Sequence, residues 1–524
     1  MLHKKIFGAA LFCGALLAVP AFAQQSSNQL LLDLLIKKGI ITQDEANALQ
    51  QQVAAASPAP APMPAPAPAP APTGNTQVNV TSNDLVIAGP GSKSPLAFQI
   101  GSTAFTPLGF MDFTTVYRST NTGGAIGSGF SSIPYNNTAA GQLSETRFSA
   151  QNSRLGLKVD SNLGDTKVLG YVETDFLGAG PTNQNVTSNS DALRMRVYFV
   201  DVRNGDWEFL AGQDWSMMTP NRKGLSPLPS DIFFSQNVDT NYQNGLIWAR
   251  QPQVRLVYHP ANEWAMGVSL ENPDQYVGSG VVLPAGFNAA SVDNGSNGTA
   301  TPNVFPDVIG KVAYDTKFGD DMPFHIEAAG LFREFKINTL TTGANPVNAN
   351  DTASGASGSI NADLGVLPGL HLIGNVFGGK GGGRYIANDG APDFIVQPAN
   401  SSGVDTIKVL SSNSYLAGLE WDAIPTDKIS AYYSIADIGR AYTQISPTGY
   451  VGYGYPGSAN SNNKSVEEYT LGNAWVIWKD PAKGDLKFLT QASYVDRKPW
   501  YVAPGTPSNA HLGMFFLDVR YDLP

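Results

Sequence analysis

Short polar turns recur along the chain, and apolar and polar residues alternate between them. Seven such turns lie at 163–165, 204–206, 260–262, 319–321, 367–369, 425–427 and 480–482. Two alternating segments and one much longer polar stretch separate each turn from the next. Because successive side chains of a strand point to opposite faces of its sheet, this rhythm predicts a transmembrane β-barrel with short turns at one end and long loops at the other.

The turns also predict the number of strands. Seven short turns join strands in pairs, and the first and last strands remain unjoined at that end, so 16 antiparallel strands are expected, beginning near Phe105. The long loops are predicted near 119–145, 178–191, 216–240, 273–306, 337–354, 379–412, 438–465 and 497–510. A barrel of this size encloses an aqueous channel.

Alternation assigns side chains to the two faces of this barrel. In the last strand, Phe515, Leu517 and Val519 are predicted to face lipid, and Asp518 and Arg520 to face the lumen. The same pattern places on the lipid face Leu155, Leu157, Val159, Leu193, Met195, Val197, Phe199, Val254, Leu256, Phe324, Ile326, Ala328 and Phe332. An aromatic belt at the membrane interface is expected from Trp207, Trp264, Trp421 and Trp478, which lie beside short turns.

Four consecutive parts are expected along the chain. They are a signal peptide at 1–23, a helical module at 24–56, a Pro/Ala-rich linker and extension at 57–103, and the all-β barrel at 104–524. Lys4 and Lys5 supply the basic region of the signal, and the apolar run after them is too short to span a membrane as a helix.

The helical module carries a capping box and one apolar face. Thr42 and Glu45 form the box, and Ala46, Leu49 and Val53 form the face. So short a helix cannot bury that face by itself. It is therefore expected to associate with copies of itself as a coiled coil, or with another periplasmic partner. The Pro-Ala run that follows is expected to be an extended spacer of roughly 50 Å, at about 3.1 Å per residue.

Composition agrees with a barrel between lipid and water. Charged residues make up 15% of the chain, against about 25% in typical soluble domains. The single cysteine, Cys13, lies in the signal, so thiol chemistry is not expected in the mature chain. Without Lys4 and Lys5, 31 basic and 43 acidic residues give a formal charge of −12. This acidity does not decide the selectivity of a pore, because many of the acids lie in loops and turns.

Basic residues converge on one arc of the predicted lumen. Strands two, four and six carry most of them, and neighbouring strands lie about 4.8 Å apart. A guanidinium presents a fixed set of donors that suits carboxylate or phosphate, and a cluster of them in a narrow lumen attracts small anions. The third long loop adds two more cations if it folds inward. The candidate pore-lining residues are Arg154, Lys158, Arg194, Arg196, Arg255, Arg222, Lys223 and Arg333.

These charges have a structural interpretation too, because the lumen face of any barrel is wet. The arginines could pair with acids such as Glu208, Glu327 or Asp518 on neighbouring strands. The sequence leaves both interpretations open.

No catalytic, metal or cofactor site is expected. The histidines lack metal-ligand spacing, and no nucleophile motif is recognisable. Residues 374–381 nearly match a phosphate-binding loop but lack its final Ser or Thr, so a flexible extracellular loop is expected there. Enzyme activity and nucleic-acid binding are not expected.

Several segments resemble trimeric porins of the DcaP type. They are RFSAQNSRLGLKV (147–159), GYVETDF (170–176), LRMR (193–196), AGQDW (211–215) and RQPQVR (250–255). The resemblance covers most of the mature chain and is densest at 145–260. The chain departs from the usual barrel ending, because it closes with Leu523-Pro524 rather than a terminal aromatic residue.

The resemblance implies a sixteen-stranded homotrimer in the outer membrane of a Gram-negative bacterium, with the helical module in the periplasm. It implies passage of small negatively charged solutes, dicarboxylates among them, past basic lumen positions at Arg154, Arg194, Arg196 and Arg255. Together with the residue pattern, this predicts passive diffusion of small anions through an arginine-lined lumen.

Two other hypotheses remain. In the first, residues 24–56 tether the outer membrane to the cell wall, and a non-selective pore is secondary. In the second, a hydrolase lies within the barrel, although the sequence offers no candidate nucleophile.

Overall fold

The computed structural model of this protein describes residues 94–178, 191–232, 235–294, 301–319, 322–342, 345–458, 460 and 462–524. The predicted signal peptide, the helical module and most of the Pro/Ala linker lie outside the described residues. The structural-tether hypothesis rests on that part of the chain.

The described part of the chain contains sixteen long antiparallel strands, numbered here in chain order. They are β1 Thr103–Arg118, β2 in two segments (Glu145–Ser149 and Arg154–Leu163), β3 Thr166–Gly178, β4 Ala192–Asn204, β5 Trp207–Trp215, β6 Arg250–Ala261, β7 Trp264–Glu271, β8 Asp307–Phe318, β9 Met322–Leu340, β10 Asn348–Leu367, β11 Leu370–Lys380, β12 Ser411–Ile424, β13 Asp427–Ile438, β14 Asn463–Asp480, β15 Gly484–Pro499 and β16 Ala510–Asp522.

The strands close into a barrel. Eighteen strand segments share one hydrogen-bonded ladder. β2 contributes two of them, and the short segment Phe98–Ile100 pairs with the start of β1, so the barrel itself has 16 strands. The last strand pairs with the first, with Val519 of β16 opposite Phe113 of β1. The predicted fold class is therefore confirmed.

Seven short turns connect the strands at one end, at the predicted positions. Gly164 and Gly205 adopt φ values of +63° and +56° in two of them. These angles are favourable for glycine because it has no Cβ atom. Tight turns of this kind bring the end of one strand directly beside the start of the next.

The strands are joined at the other end by longer connections. The loops with described residues are L1 119–144, L3 216–249, L4 272–306, L5 341–347, L6 381–410, L7 439–462 and L8 500–509, and the connection between β3 and β4, L2 179–191, lies almost wholly outside the described residues. The short helices in them are Phe130–Ser132, Ala139–Gln142, Pro229–Asp231, Thr240–Tyr242, Ala289–Ser291 and Gly383–Tyr385. Two small hairpins pair Phe394–Gln397 with Thr406–Val409 and Ala441–Gln444 with Tyr450–Tyr453. Across the described ranges, no helix is long and apolar enough to span a membrane.

The outer face of the barrel is apolar. The four predicted interface tryptophans are exposed on this face beside short turns, and two of them pack at a tilt against tyrosines of the next strand. The ring centroids of Trp207 and Tyr258, and those of Trp264 and Tyr314, are 4.7 Å apart. Aromatic side chains at this height are typical of the belt that meets the lipid headgroups.

The predicted outward orientation of Val197 and Phe199 is wrong. The pairing of β3 with β4 shifts between Glu173 and Thr174, which leaves one extra residue in β4. A bulge of this kind reverses the alternation beyond it. Val197 and Phe199 consequently belong to a buried cluster inside the barrel, whereas Met195, before the bulge, is exposed outside.

Two predicted loops are also wrong. Residues 337–354 were expected to form a long loop, but β9 and β10 are 19 and 20 residues long and extend through most of it. Residues 374–381 were expected to form a flexible extracellular loop, but they belong largely to β11. This strand is paired with β10 and β12, so the segment is neither a flexible loop nor a phosphate-binding loop. Polar, glycine-rich composition therefore misled the assignment, because backbone hydrogen bonds to neighbouring strands hold these segments in the sheet whatever their side chains.

Candidate functional site

L3 enters the lumen through an apolar contact. Met217, Met218 and Leu225 of L3 pack in one buried cluster with inner-wall residues that include Val257 and Ala265. Apolar packing inside a water-filled barrel removes this surface from water and therefore favours a fixed inward position of the loop. L3 is therefore the loop that folds inward, which the sequence left open.

The next part of L3 binds carboxylates on the wall of β8 to β12. The amides of Asn221 and Gly224 donate to Glu327 and Asp315 at 3.1 and 2.8 Å. Arg222 donates through Nη2 to Oε1 of Glu420 at 2.8 Å. It also approaches Asp363 at 3.4 Å.

Lys311 is a further anchor for L3 that the sequence analysis missed. Its Nζ donates to the carbonyl of Thr219 and to Oδ1 of Asn221, both at 2.8 Å, and pairs with Glu327 at 2.8 Å. Val308 and Val312 alternate with Lys311 in β8, so they face lipid and Lys311 faces the lumen. This alternation is the signal that could have identified Lys311.

The returning part of L3 binds the opposite side of the barrel. Arg154 of β2 donates to Oδ2 of Asp239 at 3.2 Å. The amides of Gln236 and Val238 donate to Tyr432 of β13 and Gln491 of β15 at 2.7 and 3.2 Å. L3 is thus bonded to β2 on one side and to β8, β9, β10, β12, β13 and β15 on the other, and it crosses and narrows the lumen.

L6 forms a second layer against L3. The amide of Trp248 donates to the carbonyl of Tyr385 at 3.0 Å, and Ala387 donates to the carbonyl of Leu246 at 3.0 Å. Ile247 and Ile386 form an isolated β-bridge between the two loops. The narrow part of the lumen is therefore built from two loops, where the sequence analysis expected one.

Arg333, predicted to line the pore, anchors L6. Its Nε donates to Oδ1 of Asp307 at 3.0 Å, its Nη1 donates to the carbonyl of Gly381 at 2.7 Å, and Nη1 also pairs with Asp393 at 2.8 Å. Arg384 of L6 binds the other oxygen of Asp307 at 3.0 Å. Burial raises the pKa of Asp393, and the charges of Arg333 and Arg384 counteract that effect.

The predicted basic arc exists, but carboxylates accompany most of its members. Arg194 forms two parallel bonds to Asp175, at 3.0 and 2.7 Å, and Arg196 also binds Asp175 at 2.7 Å. Arg196 pairs with Glu173 as well. Arg255 of β6 binds Asp214 at 3.2 Å. The pairing interpretation of these charges therefore describes the contacts of Arg196 and Arg255.

The predicted cations differ in how much of each side chain water can reach. The exposed fraction is 35% for Arg194, 20% for Lys158 and 14% for Arg222. Lys223, at the inner end of L3, is exposed. The fraction is 5% or less for Arg154, Arg196, Arg255 and Arg333. A solute in the lumen meets the first four side chains more readily than the buried ones.

Three histidines face the lumen, each beside a carboxylate. His259 lies 3.0 Å from Glu208, and His371 lies 2.7 Å from Asp363. His325 lies between Asp315 at 2.9 Å and Glu327, both of which also accept bonds from L3. The spacing of the histidines did not indicate the partners Glu208, Asp315 and Asp363, because these lie on neighbouring strands.

A closed barrel of sixteen strands with a loop folded into its lumen is the architecture of outer-membrane channels. The fold is similar to that of the outer-membrane channel DcaP of Acinetobacter baumannii, with a TM-score of 0.56 and 17% identity over 81% of this chain and 99% of that chain. This confirms the expected resemblance at the level of the fold.

Two other solved structures are also similar. An anion-selective porin from Comamonas acidovorans has a TM-score of 0.44 and 13% identity, over 80% of this chain and 100% of that chain. OprB from Pseudomonas putida has a TM-score of 0.43 and 11% identity, over 80% of this chain and 94% of that chain. No protein-family model and no curated protein matches the sequence.

Proposed function

We propose that this protein is a passive channel of the bacterial outer membrane for small anionic solutes, dicarboxylates among them. The observation that carries the proposal is the path of L3, whose Arg222 binds the β12 wall while its Asp239 binds Arg154 on the opposite side. A loop that is held at both sides narrows the lumen and leaves the barrel wall unchanged. Solutes then move down their own gradient through the remaining space.

The proposed selectivity depends on the cations that water reaches. Arg194, Lys158 and Lys223 present positive charge to the lumen, and a guanidinium or ammonium attracts carboxylates in a narrow passage. The buried arginines serve mainly to hold the wall and the loops in place. Their burial supports this division of roles, because a passing anion reaches a buried, carboxylate-bound charge less easily than it reaches Arg194, which is paired with Asp175 but 35% exposed.

The proposed assembly is a homotrimer embedded in outer-membrane lipid. The apolar outer face with its exposed tryptophans supports the membrane location. The trimer follows from the resemblance to DcaP-type porins. Native electrophoresis of protein extracted in mild detergent tests it, with three chains per particle as the expected result and a monomer as the contradicting one.

The reversal potential in a planar bilayer under a salt gradient tests the selectivity. Wild-type protein is compared with a triple variant that carries Arg194→Gln, Lys158→Gln and Lys223→Gln. The expected result is anion preference in the wild type and a reversal potential shifted toward zero in the variant. Lys408→Gln, an exposed charge on the outer hairpin of L6, is the matched control and should leave the potential unchanged.

Two results would count against the proposal. Cation preference in the wild type would contradict selectivity for anions. The absence of any conductance from folded, inserted barrels would contradict a channel altogether.

A further inference from the structure

Arg250 occupies the junction between L3 and β6, and it differs from the other arginines of this region. Its Nε and Nη1 atoms are buried, and neither has a hydrogen-bond partner. No salt bridge to Arg250 is found among the described residues, whereas Arg194, Arg196 and Arg255 each have a carboxylate partner. Neither the sequence analysis nor the proposed selectivity assigns a role to Arg250.

An aromatic residue holds this guanidinium in place. The Cζ atom of Arg250 lies 5.0 Å from the centroid of the Trp215 ring, and Cζ of Arg196 lies 5.7 Å from the same ring. Trp248 of L3 packs edge-on against Trp215, with 5.6 Å between the centroids. Stacking on an aromatic face stabilises a cation and fixes the plane of its donors, but it supplies no hydrogen-bond acceptor.

The carboxylates near Arg250 are bound by other arginines. Arg194, Arg196, Glu173 and Asp175 act on the charge of Arg250. Glu173 and Asp175 are already bound by Arg194 and Arg196. Arg250 is therefore left without a carboxylate partner among the described residues.

Arg250 is partly exposed, but its buried Nε and Nη1 are unfavourable, because these two donors have lost water and gained no acceptor. An oxyanion would supply both a negative charge and hydrogen-bond acceptors. A carboxylate suits the site well, since its two oxygens match the parallel donors of a guanidinium. Arg194, with about a third of its side chain exposed, offers further donors nearby.

We propose that Arg250, with Arg194 beside it and Trp215 beneath it, forms a binding subsite for one carboxylate group of a small anionic solute. The subsite deepens the proposed channel function and rests on it for its role in transport. Binding at the subsite would raise the local concentration of anions at the entrance to the space that L3 narrows. Arg250 is therefore a specificity-determining residue of the channel.

Equilibrium binding of trifluoroacetate to the detergent-purified protein tests the subsite, with the 19F linewidth as the readout. Arg250→Gln should raise the half-saturating concentration roughly tenfold to a hundredfold, because a charge-assisted hydrogen-bond pair is lost. Arg250→Lys retains the charge without the two parallel donors and should give a smaller increase. If Arg250→Gln fails to fold, the half-saturating concentration of Arg250→Lys is compared with that of the wild type instead.

Arg440→Gln is the matched control. Arg440 also stacks on a tryptophan, with Cζ 4.7 Å from the centroid of the Trp500 ring, but it is exposed on L7. Its replacement should leave trifluoroacetate binding unchanged. Equal binding by the wild type and both Arg250 variants would overturn the proposal.

Competition distinguishes a carboxylate from a phosphate. Acetate is expected to displace trifluoroacetate at least as well as inorganic phosphate does. Displacement by phosphate at much lower concentrations than acetate would overturn the assignment to a carboxylate. Because this measurement needs no conduction, a wild type that binds the probe but passes no ions would contradict the channel function and leave the subsite intact.

Discussion

Arg222 of L3 binds Glu420 of β12, with 2.8 Å between Nη2 and Oε1, and both side chains are largely buried. A second bond joins Nη1 of Arg222 to the other oxygen of Glu420 at 3.0 Å. The hydroxyl of Tyr432 donates to the same carboxylate at 2.7 Å, and the amide of Gln236 donates to that hydroxyl. Glu420 therefore holds both the outgoing and the returning part of L3.

Arg222→Gln is expected to release L3 from the wall of β12. It leaves the buried Glu420 without its cation, which typically destabilises a protein by roughly 3–5 kcal/mol. Single-channel conductance should rise, and the free energy of unfolding in denaturant should fall. The double variant with Glu420→Gln should lose less stability than Arg222→Gln alone. A loss in the double variant equal to the sum of the two single-variant losses would show that the pair is not coupled.

Asp393→Asn is expected to loosen L6. The Asp393 carboxylate pairs with Arg333 of the wall and accepts the amide of Arg384, so its neutral analogue weakens the attachment of the loop. Liposome swelling should show faster entry of larger sugars through the variant than through the wild type. Glu334→Gln, on the outward side of β9, is the control, and liposomes that contain it should swell at the wild-type rate. An unchanged size limit in Asp393→Asn would mean that L6 does not restrict passage.

The stability of L6 should depend on pH through Asp389. This carboxyl group is buried, faces Glu468 of β14 and the Tyr453 phenol of L7, and lies against the backbone of Gly245 in L3. Burial, and after it the charge of Glu468, raises the pKa of Asp389 well above its usual value. The neutral form therefore favours the docked loop, and docking weakens as pH rises from the ordinary carboxyl pKa toward the raised one.

Asp389→Asn should remove that part of the pH dependence. The melting temperature of the wild type should fall more between pH 5 and pH 8 than that of the variant, and the variant should be the more stable at pH 8. Asp165→Asn, at an exposed turn on the other end of the barrel, should keep the wild-type difference. A variant with the same pH dependence as the wild type would exclude Asp389 as the titrating group.

The bulge in β4 predicts effects of very different size for two neighbouring apolar residues. Val197 is 0% exposed and packs inside the barrel, whereas Met195 is 54% exposed on the outer face. Val197→Ala should reduce the free energy of unfolding by roughly 1.5 kcal/mol, because two buried methylene equivalents are lost. Met195→Ala should change it by much less. The reverse order would place Val197 on the lipid face, as simple alternation suggested.

Local patterns in the sequence determined the barrel itself. Glycine and polar residues in the turns marked where the strands end. The period of two along each strand placed Phe515 and Val519 outside and Asp518 and Arg520 inside, as they are in the structure. Trp207 and Trp264 beside short turns marked the membrane interface. These features depend on neighbouring residues along the chain, so a single sequence contains the necessary information.

Only the tertiary structure decided how the lumen is filled. The bonds from Arg222 to Glu420 and from Arg333 to Asp393 join residues that are 198 and 60 positions apart in the chain, so no local pattern could indicate them. The extra residue in β4 arises from its pairing with β3, which alternation within one strand cannot detect. The pairing of Arg196 with Glu173 depends on the register of β4 against β3, which the bulge shifts by one residue. The position of Arg250 on the Trp215 ring, with no ion pair among the described residues, likewise depends on tertiary packing.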